Sequence, residues 1–164
     1  MIRALLIALV VLAVGACESP RLSGIAADVG IDLEPPTPAP VDPSVATFAF
    51  LPIPGIPGDA ADEMLRRLWT RAEREGLNVV KRPGGRALFT VEGTLTAVAD
   101  DTNALVFFVF DVKDVEGKRL HRISGQQTSE ESENDPWASV EERDIDLIAR
   151  RVTALLRAWL YARA

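Results

Sequence analysis

Leu88-Phe89-Thr90-Val91-Glu92-Gly93-Thr94-Leu95-Thr96-Ala97 is the stretch on which the fold turns. Phe89, Val91, Gly93, Leu95 and Ala97 fall on one side of an extended chain, and Thr90, Glu92, Thr94 and Thr96 fall on the other. Alternation with a period of two is the mark of a strand buried on one face. A helix would scatter the same residues around its circumference. The strand is expected to run from 87 to 99 and to end at the turn residues Asp100-Asp101-Thr102-Asn103. A second strand follows over Ala104 to Asp111, apolar on both faces. Phe108, Phe110 and Val112 are predicted to line the core, which turns Leu105, Phe107 and Val109 to the opposite side. Asp114-Val115-Glu116-Gly117-Lys118 reads as a hairpin turn, and Arg119 to Thr128 as the last strand. Strands joined this closely form an antiparallel meander.

Upstream, Val45-Ala46-Thr47-Phe48-Ala49-Phe50-Leu51 is β-branched and aromatic, hence a strand. The loop Pro52 to Gly58 follows it. Asp59 is expected to cap a helix, with Asp62 in the capping-box position. Ala61, Met64, Leu65, Leu68, Trp69 and Ala72 give that helix one apolar face, and Gly76 is placed to end it. Leu77-Asn78-Val79-Val80 is a short strand. The helix between the first two strands permits a parallel pair through a right-handed crossover. Downstream, the acidic loop Ser129 to Asp135 leads to a second helix, with Ser139-Val140-Glu141-Glu142 as its expected capping box. Its apolar stripe is read as Ile145, Ile148, Val152, Leu155, Trp159 and Leu160. The predicted order is β-α-β-β-β-β-α. That is an α+β domain over 45–164, with a single mixed, largely antiparallel sheet of about five strands and two helices packed on one face.

The N-terminus has a different character. Arg3, an apolar run from Ala4 to Val14 and the small pair Gly15-Ala16 make up the three regions of a secretory signal peptide over 1–16. The run is too short for a membrane-spanning helix, which takes about 20 residues. Val14-Gly15-Ala16-Cys17 resembles the bacterial lipobox. The resemblance implies cleavage after Ala16 and acylation of Cys17, which would hold the chain to a membrane through about 0.8 kcal/mol per buried CH₂. A lipidated Cys17 would not serve as a nucleophile. Glu18 follows in place of the Asp that favours inner-membrane retention in enteric bacteria, so the outer membrane is favoured, facing the periplasm. Six of the eleven prolines lie in 18–44, which makes 17–44 a lipid-anchored, extended, disordered tether rather than a folded element.

Composition narrows the function. The 164 residues carry 18 Lys and Arg against 24 Asp and Glu, a formal charge of −6. Loss of the leader removes Arg3, leaving 17 basic against 24 acidic side chains, or −7. This balance argues against nucleic acid as a partner. One Cys excludes an internal disulfide framework and a Cys-based zinc cluster, and one His excludes a two-His metal site. No cofactor and no metal are expected.

The order of elements and a few strand residues carry a resemblance. Leu88-Phe89-Thr90-Val91-Glu92-Gly93 and Phe110-Asp111-Val112-Lys113-Asp114-Val115-Glu116-Gly117 look like strands of the small periplasmic α/β domain of envelope lipoproteins. The penicillin-binding-protein activators, the curli secretion lipoprotein and the N-terminal domain of the Tol-system propeller protein share that plan. The tract Asp111 to Trp137, with Arg119-Leu120-His121-Arg122-Ile123-Ser124-Gly125 and Asp135-Pro136-Trp137-Ala138, is similar to small lipoproteins of alphaproteobacteria. The resemblance implies a periplasmic interaction domain without catalytic residues.

Candidate chemistry is sparse. Asp100-Asp101 and the group Asp111, Asp114 and Glu116 sit where turns need them and lack a Ca²⁺-loop spacing. Asp111 interrupts an apolar strand and could pair across the hairpin with Arg119 or His121. Arg66, Arg67, Arg71, Arg74, Lys81, Arg82 and Arg86 are read as a solvated basic surface rather than an anion site. The candidate partner-binding patch is Leu105, Phe107, Val109 and Trp137. The expectation is a non-enzymatic accessory lipoprotein that binds another envelope component, and the alternative is a small envelope hydrolase using the Asp111 and His121 region. Binding of peptidoglycan or lipid is the other alternative.

Overall fold

In the computed structural model, residues 37–81, 85–99, 103–129 and 135–162 are described. The elements are β1 (Thr47–Phe50), α1 (Gly58–Arg74), β2 (Asn78–Val79), β3 (Phe89–Ala99), β4 (Ala104–Lys113), β5 (Arg119–Ser129) and α2 (Glu142–Leu160). They form a five-stranded sheet in the order β2-β1-β3-β4-β5, with both helices on one side. The expected α+β class and element order hold. β1 runs parallel to β2 on one flank and parallel to β3 on the other, and Phe48 stands level with both Val79 and Phe89. Residues 80–88 therefore carry the chain from one flank of β1 to the other. The Val80 N–H donates to the Phe48 carbonyl at one end of that passage, and the Leu88 N–H donates to Thr47 Oγ1 at the other.

The core lies between the sheet and the helices. Phe48, Phe89, Val91, Val106, Phe108, Phe110 and Val112 are buried on the sheet side. Met64, Leu68 and Ala72 from α1 and Ile148, Val152 and Leu156 from α2 meet them. Two glycines shape this layer. Gly93 pairs with Phe110 and Gly125 with Phe108, and the two rings lie over the bare backbone. A glycine opposite an aromatic ring lets the ring cover the strand, which recovers the packing a glycine otherwise forgoes.

Helix ends differ from the expectation in part. Gly76 behaves as read: at φ +77° it closes α1, with its N–H donating to Glu73 and the Leu77 N–H donating to Ala72. That pair of bonds is a Schellman motif. At the other end of α1, Pro57 occupies the cap and Asp59 lies inside the first turn, bonded only to the Ala60 N–H. The Asp59–Asp62 capping box does not form, because the helix already starts at Gly58, with Pro57 fixing the backbone two residues before Asp59. In α2 the box is Glu141 with Asp144, two residues beyond the Ser139 start read from sequence. Ser139 instead offers its carbonyl to Ser129 Oγ and is buried beneath β5. Leu156, not Leu155, completes the apolar stripe of α2. One residue is a 100° rotation, and Leu155 is left 41% exposed.

The folded unit also begins before Val45. Ala39 and Val41 pack against the core, and Trp159 Nε1 donates to the Thr37 carbonyl at 2.7 Å. Asp42 closes a turn over Ser44 and Val45. Residues 37–44, read as tether, are thus seated on the domain. The earlier part of that segment, Cys17 with Val14, Gly15 and Ala16, and the signal peptide all lie outside the described residues.

Candidate functional site

With both helices on one face, the other face of the sheet has no covering layer among the described residues. Its composition follows from strand parity. Thr94, Thr96 and Val98 of β3 stand beside Val109, Phe107 and Leu105 of β4, which stand beside Ser124, Gln126 and Thr128 of β5. Phe107 is 43% exposed and Val98 48% exposed, while Leu105 and Val109 are half-buried by their neighbours. The result is an apolar ridge along β4, flanked on both sides by hydroxyl and amide side chains. Such a surface offers shape and apolar area without a charge to desolvate.

The other end of the same face is ionic. Arg122 Nε and Nη2 donate to the two carboxylate oxygens of Asp111 at 2.7 and 2.8 Å. The Arg122 hydrogen bonds hold the Asp111 carboxyl below the usual carboxylate range. Lys113 Nζ donates to Glu92 Oε2 at 2.5 Å. The partner of Asp111 is therefore Arg122, directly opposite in the register. His121 stands opposite Val112, on the helix side of the sheet. It stacks on Trp159 with ring centroids 5.3 Å apart and planes 2° apart, and burial pushes its imidazole below the ordinary value. Asp111 and His121 thus point to opposite faces, and the hydrolase pairing considered for them is not available.

Trp137 is not part of the β4 ridge. It lies on the helix side and lines a cleft of about 460 Å³ with Pro57, Asp59, Glu63, Glu142 and Ile145, between the starts of the two helices. Sheet parity places Leu105, Phe107 and Val109 together, but the connection from β5 to α2 carries Trp137 around to the other layer. The basic surface is largely neutralised. Arg71 binds Asp146 through Nε at 3.0 Å and Nη2 at 2.5 Å, Arg67 bridges Glu63, Glu142 and Asp146, Arg66 pairs with Glu63, and Lys81 pairs with Glu73. Arg82, Asp100 and Asp101 lie outside the described residues. Asp114 Oδ1 accepts from the N–H groups of Glu116 and Lys118, a turn function. Among the described residues no cluster of three or more His, Cys, Asp or Glu side chains could hold a metal ion, and no helix is long and apolar enough to cross a membrane.

The sequence reading missed Val98 and the polar flank Ser124, Gln126 and Thr128. Val98 continues the Thr90-to-Thr96 side of its strand, so parity alone could have found it. The β5 flank needed the register across the Asp114–Lys118 turn.

No family model matches the chain, and no curated protein is significantly similar to it. Solved structures share the outline. The PelC dodecamer from Paraburkholderia phytofirmans matches at 15% identity over 71% of this chain and 94% of that one, with a TM-score of 0.47. Lipoprotein GNA1162 from Neisseria meningitidis matches at 14% identity over 73% and 99%, with a TM-score of 0.40. The LpoB C-terminal domain from Salmonella enterica matches at 12% identity over 65% and 92%, with a TM-score of 0.28. At these scores the likeness is one of outline, and no site residue is carried over.

Proposed function

We propose that this chain is a lipid-anchored accessory protein of the bacterial envelope that binds a protein partner through the uncovered face of its sheet. The observation that carries the reading is the ridge Leu105, Phe107 and Val109, with Val98 beside it, exposed along a central strand and bordered by neutral polar side chains. The address comes from Val14-Gly15-Ala16-Cys17, with acylation of Cys17 after cleavage at Ala16, and with Glu18 favouring the outer membrane. The partner is a periplasmic or membrane protein presenting an apolar surface. A net acidic chain is poorly suited to anionic lipid or nucleic acid.

The test is a photo-crosslinking residue at position 107 in intact cells, compared with one at exposed Val115 in the hairpin turn. Capture of one defined envelope protein from position 107, absent from position 115, is the expected result. Phe107→Ser should abolish co-purification of that protein while leaving the chain folded, at a stability cost of about 1–2 kcal/mol from the buried part of the ring. Equal capture from both positions, or an unchanged complex with Phe107→Ser, would sink the proposal.

A further inference from the structure

The chain is acidic overall, but its charge is unevenly spread. From Leu147 to Ala164 the sequence holds Arg150, Arg151, Arg157 and Arg163 and no Asp or Glu. The helix layer sorts its charges in the same way. Asp59, Glu63, Asp135 and Glu142 line the cleft between the helix starts. Arg67 joins the helices near that end through Glu142, and Arg157, with Nε 3.9 Å from Glu75, joins them at the other. The two helices therefore run side by side in the same direction. Along α2, about 22 Å separates Glu142 from Arg157, at 1.5 Å per residue.

The outward arc of the later half of α2 is basic and partly apolar. Arg150, Arg151, Leu155, Arg157 and Tyr161 are all exposed, and at 100° per residue they fall within about 160° of the circumference. Leu155 is 41% exposed and Tyr161 50% exposed, with the Arg157 guanidinium 5.3 Å from the centre of the Tyr161 ring. No carboxylate among the described residues pairs with Arg150 or Arg151. On the neighbouring end of α1, Glu73 is taken by Lys81 and Glu75 lies by Arg157, so the surplus here is positive. The helix dipole gives a reason for a cation in the last turn, such as Arg157, but its effect does not reach back to Arg150 and Arg151. The described chain also begins at this end: the Thr37 carbonyl accepts from Trp159 Nε1 in the last turn of α2.

We propose that the outer face of α2 from Arg150 to Tyr161 rests on an anionic lipid surface. The overall acidity that disfavours such a partner is not shared by this end of the helix layer. Guanidinium groups match headgroup phosphates through paired N–H donors, and Leu155 and Tyr161 meet the boundary of the acyl region. The acidic helix starts are repelled by the same surface, so attraction at one end and repulsion at the other tilt α2 and orient the domain. The uncovered sheet face lies on the opposite side of the sheet from α2 and stays clear of the lipid. This orientation agrees with an anchor at Cys17, but headgroup binding by the arginines does not depend on one.

The test uses the full mature chain with Cys17→Ser, which removes any contribution of acyl chains. Its sedimentation with vesicles of phosphatidylglycerol mixed into phosphatidylcholine is compared with that on phosphatidylcholine alone. An arginine near an anionic surface raises binding about 5-fold, so Arg150 and Arg151 together should favour the anionic vesicles about 25-fold. The preference should fade between about 0.1 and 1 M salt, as the screening length shrinks from about 10 to 3 Å. Arg150→Gln with Arg151→Gln should remove it at an unchanged thermal midpoint, and Arg150→Lys with Arg151→Lys should retain most of it. Equal binding to both vesicles, or an anionic preference that survives the Gln pair, would overturn the proposal. Vesicle binding absent while the Gln pair abolishes capture from position 107 would also overturn it, and would assign the arginines to a protein contact.

Discussion

Gly93→Ala tests whether the aromatic layer is built as described. A Cβ at position 93 would stand 2.5 Å from Phe110 Cε1 and 3.0 Å from Cδ1 and Cζ. Carbon atoms in contact prefer about 3.5–4.0 Å, so the ring must move by about 1 Å. Phe110 is 1% exposed, and its ring lies 6.3 Å from that of Phe108, so it has little room to move. Overpacking of this kind costs about 1–3 kcal/mol. Stiffening of the unfolded chain by alanine returns about 0.4–1 kcal/mol. The net expectation is a loss of about 1–2 kcal/mol. With a urea slope of about 1–3 kcal/mol/M, the midpoint should fall by about 1 M at an unchanged slope. Urea unfolding followed by tryptophan fluorescence measures it. In a Phe110→Leu background the penalty should shrink, because Cε1, the atom that Cβ meets most closely, and Cζ are gone, and the difference between the two penalties is a direct coupling energy. A Gly93→Ala midpoint equal to or above that of the parent would refute the reasoning. So would an equal penalty with and without the ring.

The ionic and titrating groups give two further expectations. The hydrogen bond from Arg71 holds the Asp146 carboxyl below its ordinary value, so the pair stabilises the fold above about pH 3.8 and is lost as pH falls through the depressed folded value. Asp146→Asn should cost about 1 kcal/mol at neutral pH, since both side chains are partly exposed, and should flatten the acid limb of a midpoint-against-pH curve. His121 titrates in a separate window. Burial lowers its folded value below 6.5, so the unfolded chain binds the proton more readily. Stability should be full above about pH 7, fall as pH drops through 6.5 towards the folded value, and lose that slope in His121→Phe, as read by thermal unfolding between pH 5 and 8.

The parts of the fold that parity or local backbone chemistry controls were legible in the sequence. The alternation from Phe89 to Ala97 named the buried side of β3, and the same count on β4 separated Phe108 and Phe110 from Phe107. Gly76 announced the end of α1 because a positive φ there suits glycine. Tertiary choices were not legible. Nothing local shows that β1 lies between β2 and β3, because a buried strand pairs equally well on either side. The Asp111–Arg122 pair depended on the register set by the Asp114–Lys118 turn and the irregularity beside it. Counted differently by one residue, Asp111 would have faced His121. Trp137 was assigned to the wrong layer because the path from β5 to α2 is a loop, and loops have no period to read.

The size of the exposed ridge bears on how such a protein would work. Burying a whole Phe side chain yields about 1.5–3 kcal/mol, so covering the exposed 43% of Phe107 yields about 1 kcal/mol. Val98, Leu105 and Val109 together add a similar or somewhat larger amount. A micromolar complex requires about 8 kcal/mol net of the entropy lost on association, so the ridge alone supports only weak binding from free solution. Confinement changes that balance. If Cys17 carries acyl chains, the domain and a membrane partner share one thin layer, and the second contact forms at an effective concentration that a short link raises into the millimolar range. A modest apolar ridge then suffices, and its reversibility becomes an asset for an accessory protein. This reasoning ties the anchor to the ridge: strengthening the ridge, for example by Thr96→Leu beside Phe107, should rescue partner binding in a chain deprived of its lipid, whereas a high-affinity site would not need the lipid at all.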